Sequence, residues 1–193
     1  NEKKYLKLFQ LSEKSKIIGE ASTHYLFSKQ AASEIYNYNS KSKIIIMLRD
    51  PVDLIYSLHS QYVFSGNENI FDFKMALNKE AKRKQGIDIP PQLDMYEKLY
   101  YRTYVRRLPE NIKTFINYFK SNVLIILLDD ISNNPYKVYK TIINFLNVND
   151  VYNPTFKIIN SNKFVRSIYI RDKIKKYGLL LGKIRSKLIS KPI

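Results

Sequence analysis

Two continuous runs of apolar residues stand out in the pattern along the chain. Residues 43–48 read KIIIML and residues 123–128 read VLIILL. A run that is apolar at every position is typical of a parallel strand buried on both faces, whereas a half-exposed strand alternates apolar and polar residues. Because segments with helical periodicity separate the two runs, the pattern predicts an α/β fold with a central parallel sheet in three layers, α/β/α.

Helical patterns and one further short strand complete this prediction. Residues 16–18 form a third strand candidate, and residues 28–36 a helix between it and the run at 43–48. Together they would make one right-handed βαβ unit. The other predicted helices cover residues 71–84, 93–107, 109–119, with Pro109 at the first helical position, 135–146 and 171–188. Residues 65–91 otherwise read as a surface excursion, and residues 156–169 as a loop.

The helix that follows the first apolar run has a well-defined predicted start. Asp50 is a good N-cap, Pro51 fits the first helical position, and Asp53 sits where a capping box places an acid. The helix is expected to run to about Val63. Its first turn leaves backbone N–H groups unpaired, and its dipole is positive at this end.

Arg49 stands immediately before this helix and is the first candidate for binding an anion. A guanidinium can grip a phosphate with two hydrogen bonds. Ser57 lies seven residues past the cap, close to two full turns, so its hydroxyl faces roughly the helix entry. The alternative is that Arg49 pairs with an acidic neighbour and Ser57 is a small packing residue. Spacing alone favours that alternative.

Composition narrows the chemistry further. The 193 residues contain no cysteine and two histidines, which excludes disulfides and thiolate zinc sites and disfavours a histidine-based metal site. The net charge of +16 attracts anions, among them nucleic acid, anionic membranes, sulfated ligands and nucleotides. No run is long and apolar enough to span a bilayer. The chain begins with Asn rather than Met, and we expect it to be a fragment of one domain, with residues 150–193 forming a basic loop and helix.

Three collinear segments resemble the sulfotransferase family. Residues 43–59 (KIIIMLRDPVDLIYSLH) are similar to the family's segment for the 3′-phosphate of 3′-phosphoadenylyl sulfate, the sulfate donor. Residues 18–26 (IGEASTHYL) resemble its Gly-Glu segment, and residues 123–148 resemble its later strand, acidic pair and helix. The resemblance implies a fold like that of the P-loop NTPases. It also implies that Arg49 and Ser57 hold the 3′-phosphate, with the donor at the carboxyl ends of the strands.

The resemblance is incomplete at the start of the chain. The family's Lys-x-Gly-Thr-Thr loop for the 5′-phosphosulfate, and the segment that often carries a catalytic glutamate, have no counterpart in the sequence. We therefore expect the first strand and this loop to be missing and the fragment to be inactive. Ala21 also replaces a lysine found in several heparan-type members.

The resemblance implies in-line transfer of a sulfuryl group to a hydroxyl or amine of a carbohydrate or other small acceptor, without a metal. Glu20 is a possible base, although ordering of its loop is the more ordinary role, and His24 is a weaker candidate. Arg166, in the weak match NKFVRS, is a candidate second ligand of the 3′-phosphate. Asp129 and Asp130 resemble a magnesium-binding pair, but capping turns or pairing with bases explains them more simply. The tyrosines at 96, 100, 101 and 104 are read as core.

Two other functions remain open at this stage. A basic module that binds nucleic acid or acidic polysaccharide without chemistry would explain the charge, and its affinity would depend steeply on salt. A P-loop kinase-like enzyme would share the fold but require magnesium. The sulfotransferase interpretation predicts a nucleotide donor, no nucleic-acid partner and a location in the bacterial cytoplasm, unless further sequence carries an anchor.

Overall fold

The computed structural model describes residues 5–7, 9, 15–90, 96–149, 152–157, 173 and 177. The chain divides into two compact units, one of residues 1–48 and 108–156 and one of residues 49–107 and 157–193. The strands are β1 (Ile44–Leu48) and β2 (Val123–Leu127); the helices are α1 (Ala31–Tyr38), α2 (Pro51–Ser65), α3 (Phe73–Asn78), α4 (Glu80–Arg83), α5 (Tyr101–Phe119), α6 (Leu128–Asn133) and α7 (Pro135–Leu146). Three short 3₁₀ helices cover Tyr25–Phe27, Tyr96–Leu99 and Lys120–Asn122.

The first unit is built on a parallel pair of strands. β1 and β2 pair in register from Ile44 with Val123 to Leu48 with Leu127. This confirms both predicted strands and the parallel α/β class. Within the described residues the sheet has two strands, so the three-layer arrangement around a larger central sheet stays a prediction.

Each face of this sheet is covered over one strand only. Ile46 is 6% exposed and packs with α1 and the second half of α5, whereas its register partner Ile125 is 42% exposed. On the opposite face Ile126 is 4% exposed on the strand that contacts α6 and α7, whereas its partner Met47 is 60% exposed. The prediction that both strands are buried on both faces is therefore wrong for this structure.

The predicted strand at residues 16–18 is absent. These residues are described without strand pairing, and Ile17 and Ile18 are 41% and 52% exposed. A three-residue strand gains little from backbone pairing unless its side chains also find a packed surface. The βαβ unit expected from residues 16–48 therefore does not form, although its helix does, as α1.

The second unit packs helices around a small apolar core. Ile55 of α2, Ala76 of α3, Leu99 and Tyr101 are its buried members. The short helix predicted over residues 71–84 is present as α3 and α4. The burial of Tyr101, with no exposed surface, confirms its interpretation as a core residue.

Pro109 lies inside helix α5 rather than at the start of a separate helix. A proline at this point removes one backbone hydrogen bond and costs about 3 kcal/mol in a helix interior. Apolar residues on both sides of it are buried, Tyr101 in the core of the second unit and Phe115 in that of the first. The buried surface offsets the cost of the proline, and the predicted helix boundary was wrong.

Glu80 fixes the beginning of α5. Its carboxylate accepts hydrogen bonds from the backbone N–H of Arg102 and Thr103, at 2.7 and 3.2 Å, and from the Thr103 hydroxyl at 2.6 Å. Burial acts to raise the pKa of Glu80, but these hydrogen bonds and the nearby Lys84 outweigh it, so the pKa lies below its ordinary value. Glu80 therefore acts as a distant cap for the first turn of this helix.

We expect Glu80→Gln to lower stability by about 1 kcal/mol at pH 6, the usual effect of losing a helix cap. Because the folded-state pKa is depressed, the contribution of the carboxylate is complete above the unfolded pKa and is lost as the pH falls through the folded value. The difference between wild type and variant should therefore shrink below about pH 4.3. Urea denaturation from pH 6 to pH 3 measures it, and a pH-independent difference would contradict the role given to Glu80.

Candidate functional site

The start of helix α2 is organised as the sequence predicts. Asp50 Oδ1 accepts hydrogen bonds from the backbone N–H of Val52 at 2.9 Å and of Asp53 at 3.1 Å, and Pro51 occupies the first helical position. The helix ends at Gly66, whose left-handed φ of 69° suits glycine. The predicted cap is confirmed. The helix entry thus has a fixed backbone beside Arg49.

Arg49 is only loosely engaged. Its Nη2 lies 3.8 Å from Asp53 Oδ2, beyond hydrogen-bonding distance, and the two side chains are 31% and 62% exposed. Exposed pairs of this kind contribute between 0 and about 1 kcal/mol. Within the described part of the chain the guanidinium makes no hydrogen bond. Its five N–H donors are therefore available to an anion, and Asp53 is the acidic group that competes for them.

Ser57 supplies a hydroxyl on the same helix. It is half-buried, and its hydroxyl has no hydrogen-bonding partner among the described residues. Its neighbour His59 is buried and engaged, with Nε2 2.8 Å from the carbonyl oxygen of Ile70. A hydroxyl left unpaired in the second turn of a helix that follows a free guanidinium can add a hydrogen bond to the same ligand. This use of Arg49 and Ser57 stays a prediction.

Glu20 belongs to the first unit and is described by itself. Tyr5 donates a hydrogen bond from its hydroxyl to Glu20 Oε2 at 3.4 Å. Hydrogen bonding to Glu20, with burial and the carboxylate's charge adding to it, raises the pKa of Tyr25 to about 12. His24 is exposed and precedes the short 3₁₀ helix. The tyrosine partners of Glu20 were missed at the sequence level, since a contact across fifteen residues of irregular chain leaves no periodic signal.

The remaining candidates contribute less. Arg166 and the predicted tail segments at 158–172 and beyond lie outside the described residues, apart from Lys173 and Tyr177. Asp129 and Asp130 lie in the first turn of α6, where a negative charge suits the helix dipole. Among the described residues no three His, Asp or Glu side chains form a group that could hold a metal ion. Over the same residues no helix is long and apolar enough to cross a membrane.

Comparison with known proteins identifies one informative neighbour. No family model matches the sequence, and no curated protein matches it. Among solved structures, the fold is similar to that of a sulfotransferase from Alicyclobacillus acidocaldarius, with a TM-score of 0.68 and 26% sequence identity. The match covers 92% of this chain and 66% of that one, so the chain spans a little less than two thirds of its neighbour. The chain therefore has a sulfotransferase-like α/β fold.

Proposed function

We propose that this chain is part of a sulfotransferase that uses 3′-phosphoadenylyl sulfate, and that Arg49 and Ser57 bind the 3′-phosphate of the donor. The observation that carries the proposal is the loosely paired guanidinium of Arg49 beside the capped start of α2, in a chain whose fold resembles that of a sulfotransferase. A generic basic protein has no need for an arginine held open in this way.

The proposed reaction is an in-line displacement at sulfur. The oxygen or nitrogen of the acceptor forms a bond to sulfur as the bond from sulfur to the bridging phosphate oxygen breaks. The acceptor proton passes to a base, and 3′-phosphoadenosine 5′-phosphate leaves. Arg49 would hold the donor at its 3′-phosphate, remote from the bond that breaks, so its contribution is positioning of the donor. Glu20 remains a candidate base, and the proposed chemistry uses no metal.

A second candidate function rests on the charge of +16. A basic module that binds nucleic acid or acidic polysaccharide would use many dispersed lysines rather than one arginine and one hydroxyl. Its affinity would fall steeply with salt and would be insensitive to the position of a phosphate on a nucleotide.

Calorimetric titration with two nucleotides tests the proposal. The first is 3′-phosphoadenosine 5′-phosphate and the second is ADP, which carries two phosphates but none at the 3′ position. Charge-assisted hydrogen bonds contribute about 1.5–3 kcal/mol each, so we expect the first nucleotide to bind about ten- to a hundredfold more tightly. Equal binding of the two, or binding of neither, would favour the basic module.

Asp53→Asn is expected to tighten binding of 3′-phosphoadenosine 5′-phosphate by about three- to tenfold. The substitution removes a carboxylate 3.8 Å from Arg49 that competes with the phosphate, and a charge interaction near the surface is worth on the order of 1 kcal/mol. Glu97→Gln is the matched control, because it removes an exposed negative charge from the same unit. Weaker binding by Asp53→Asn, or an equal gain in the control, would show that Asp53 does not restrain Arg49 locally.

A further inference from the structure

Two phenols converge on one carboxylate in the first unit. Tyr5 donates its hydroxyl hydrogen to Glu20 Oε2 at 3.4 Å. Tyr25 hydrogen-bonds to Glu20 as well, and the same carboxylate, through this bond and its charge, helps to raise the pKa of Tyr25 to about 12. Both phenols are therefore protonated at neutral pH and act as donors. Neither the donor-binding role of Arg49 nor the packing of the core uses this group, which we call the Glu20 cluster.

The Glu20 cluster is open to solvent. Tyr5 is 40% exposed and Tyr25 is 37% exposed, and Glu20 itself is exposed. Tyr38, which is 67% exposed, lies close enough to Tyr5 for its charge to influence the pKa of that phenol. The arrangement thus exposes three aromatic rings around a single acidic group.

Comparison with the buried Glu68 shows that Glu20 has acceptor capacity to spare. Glu68 receives two hydrogen bonds from Arg83, one from Tyr101 and two from backbone N–H groups, which occupy its oxygens fully. A carboxylate offers about four lone-pair sites. The two phenols on Glu20 leave roughly half of these sites, all on the exposed side, for further donors.

Exposed aromatic rings beside an under-used carboxylate match the chemistry of a sugar. The apolar C–H face of a pyranose packs against an aromatic ring, and neighbouring hydroxyls donate to the two oxygens of a carboxylate. A cationic ligand would also suit tyrosines and a glutamate, but a chain with a net charge of +16 repels cations. An uncharged or weakly charged pyranose meets neither objection.

We propose that the Glu20 cluster recognises the acceptor, and that this acceptor is a pyranose oligosaccharide. The proposal rests on the proposed sulfotransferase function. Glu20 would accept hydrogen bonds from sugar hydroxyls, Tyr25 and Tyr5 would orient its carboxylate, and their rings with that of Tyr38 would contact the faces of successive sugar units.

Saturation-transfer NMR on the full chain tests this assignment. The probes are cellotetraose, chitotetraose and a hyaluronan tetrasaccharide, with choline as the cationic probe. We expect at least one oligosaccharide to bind, and Tyr25→Ala and Glu20→Gln each to weaken it by about fivefold, the effect of losing one stacking or hydrogen-bonding partner. Tyr152→Ala is the control, since this tyrosine is 69% exposed and contributes only its backbone carbonyl, to Tyr139.

The outcomes separate this inference from the proposed function. If no oligosaccharide binds, if choline binds in their place, or if Tyr152→Ala weakens binding as much as Tyr25→Ala, the assignment of the cluster is wrong. The same variants are titrated with 3′-phosphoadenosine 5′-phosphate. Nucleotide binding without sugar binding would overturn only the acceptor assignment, whereas sugar binding without nucleotide binding would overturn the proposed sulfotransferase and leave a sugar-binding surface.

Discussion

Arg83→Met is expected to lower the free energy of unfolding by about 3–5 kcal/mol, because it leaves Glu68 as a buried carboxylate without its counter-ion. Neither side chain has any exposed surface. Arg83 Nη1 and Nη2 each donate to a different oxygen of Glu68 at 2.8 Å, and the Tyr101 hydroxyl donates to the same carboxylate at 3.0 Å. No water can replace the lost donors at such a site, so the desolvation cost of the carboxylate remains.

Urea denaturation of wild type, Arg83→Met and the double variant Glu68→Leu/Arg83→Met measures this effect. The double variant should recover much of the loss, because an apolar pair of similar size leaves no unpaired charge. Lys82→Met is the matched control, since it makes the same kind of change at an exposed position of α4 and should alter stability by less than about 0.5 kcal/mol. A loss in Arg83→Met as small as in this control would show that the pair does not stabilise the unit.

The Glu68–Arg83 pair also marks the limit of what the sequence could predict. Its members are fifteen residues apart, and Tyr101 is thirty-three residues from Glu68. Their meeting depends on how α2, α3 and α4 pack, and no local spacing encodes it. A sequence reader sees these residues as ordinary members of a polar excursion with a short helix.

Helix α7 represents the opposite case. Its predicted bounds, residues 135–146, agree with the structure because every signal is local. Asn134 Oδ1 accepts from the backbone N–H of Lys137 at 3.0 Å, Pro135 opens the first turn, and Asn147 ends the helix with a left-handed φ of 59°. The start of α2 was predictable for the same reason, and with it the position of Arg49.

Tertiary packing accounts for the predictions that were wrong. Pro109 carries a local signal for a helix start, but the burial of residues on both sides keeps it inside α5. The apolar run that contains Ile46 and Met47 predicts burial on both faces, and the structure covers only the face of Ile46. Composition reports how apolar a strand is, whereas the number of neighbours it packs against is set by the rest of the fold.

Arg49→Ala is expected to weaken binding of 3′-phosphoadenosine 5′-phosphate by about ten- to a hundredfold and to leave binding of ADP nearly unchanged. The contrast arises because the guanidinium would contact only the phosphate that ADP lacks. Arg49 makes one loose contact at 3.8 Å with an exposed partner, so its removal should change the melting temperature little. Loss of binding can then be assigned to the ligand contact rather than to unfolding.

Arg106→Ala provides the control for total charge. Arg106 is an exposed arginine of the same unit, and removing it lowers the net charge by the same amount. A protein that holds nucleotides by its overall charge of +16 would lose affinity equally in both variants and for both nucleotides, and more steeply as salt increases. A protein that reads the 3′-phosphate would lose it only in Arg49→Ala and only for 3′-phosphoadenosine 5′-phosphate. Ser57→Ala should then show the same selectivity at about five- to tenfold, since a neutral hydroxyl contributes less than a guanidinium.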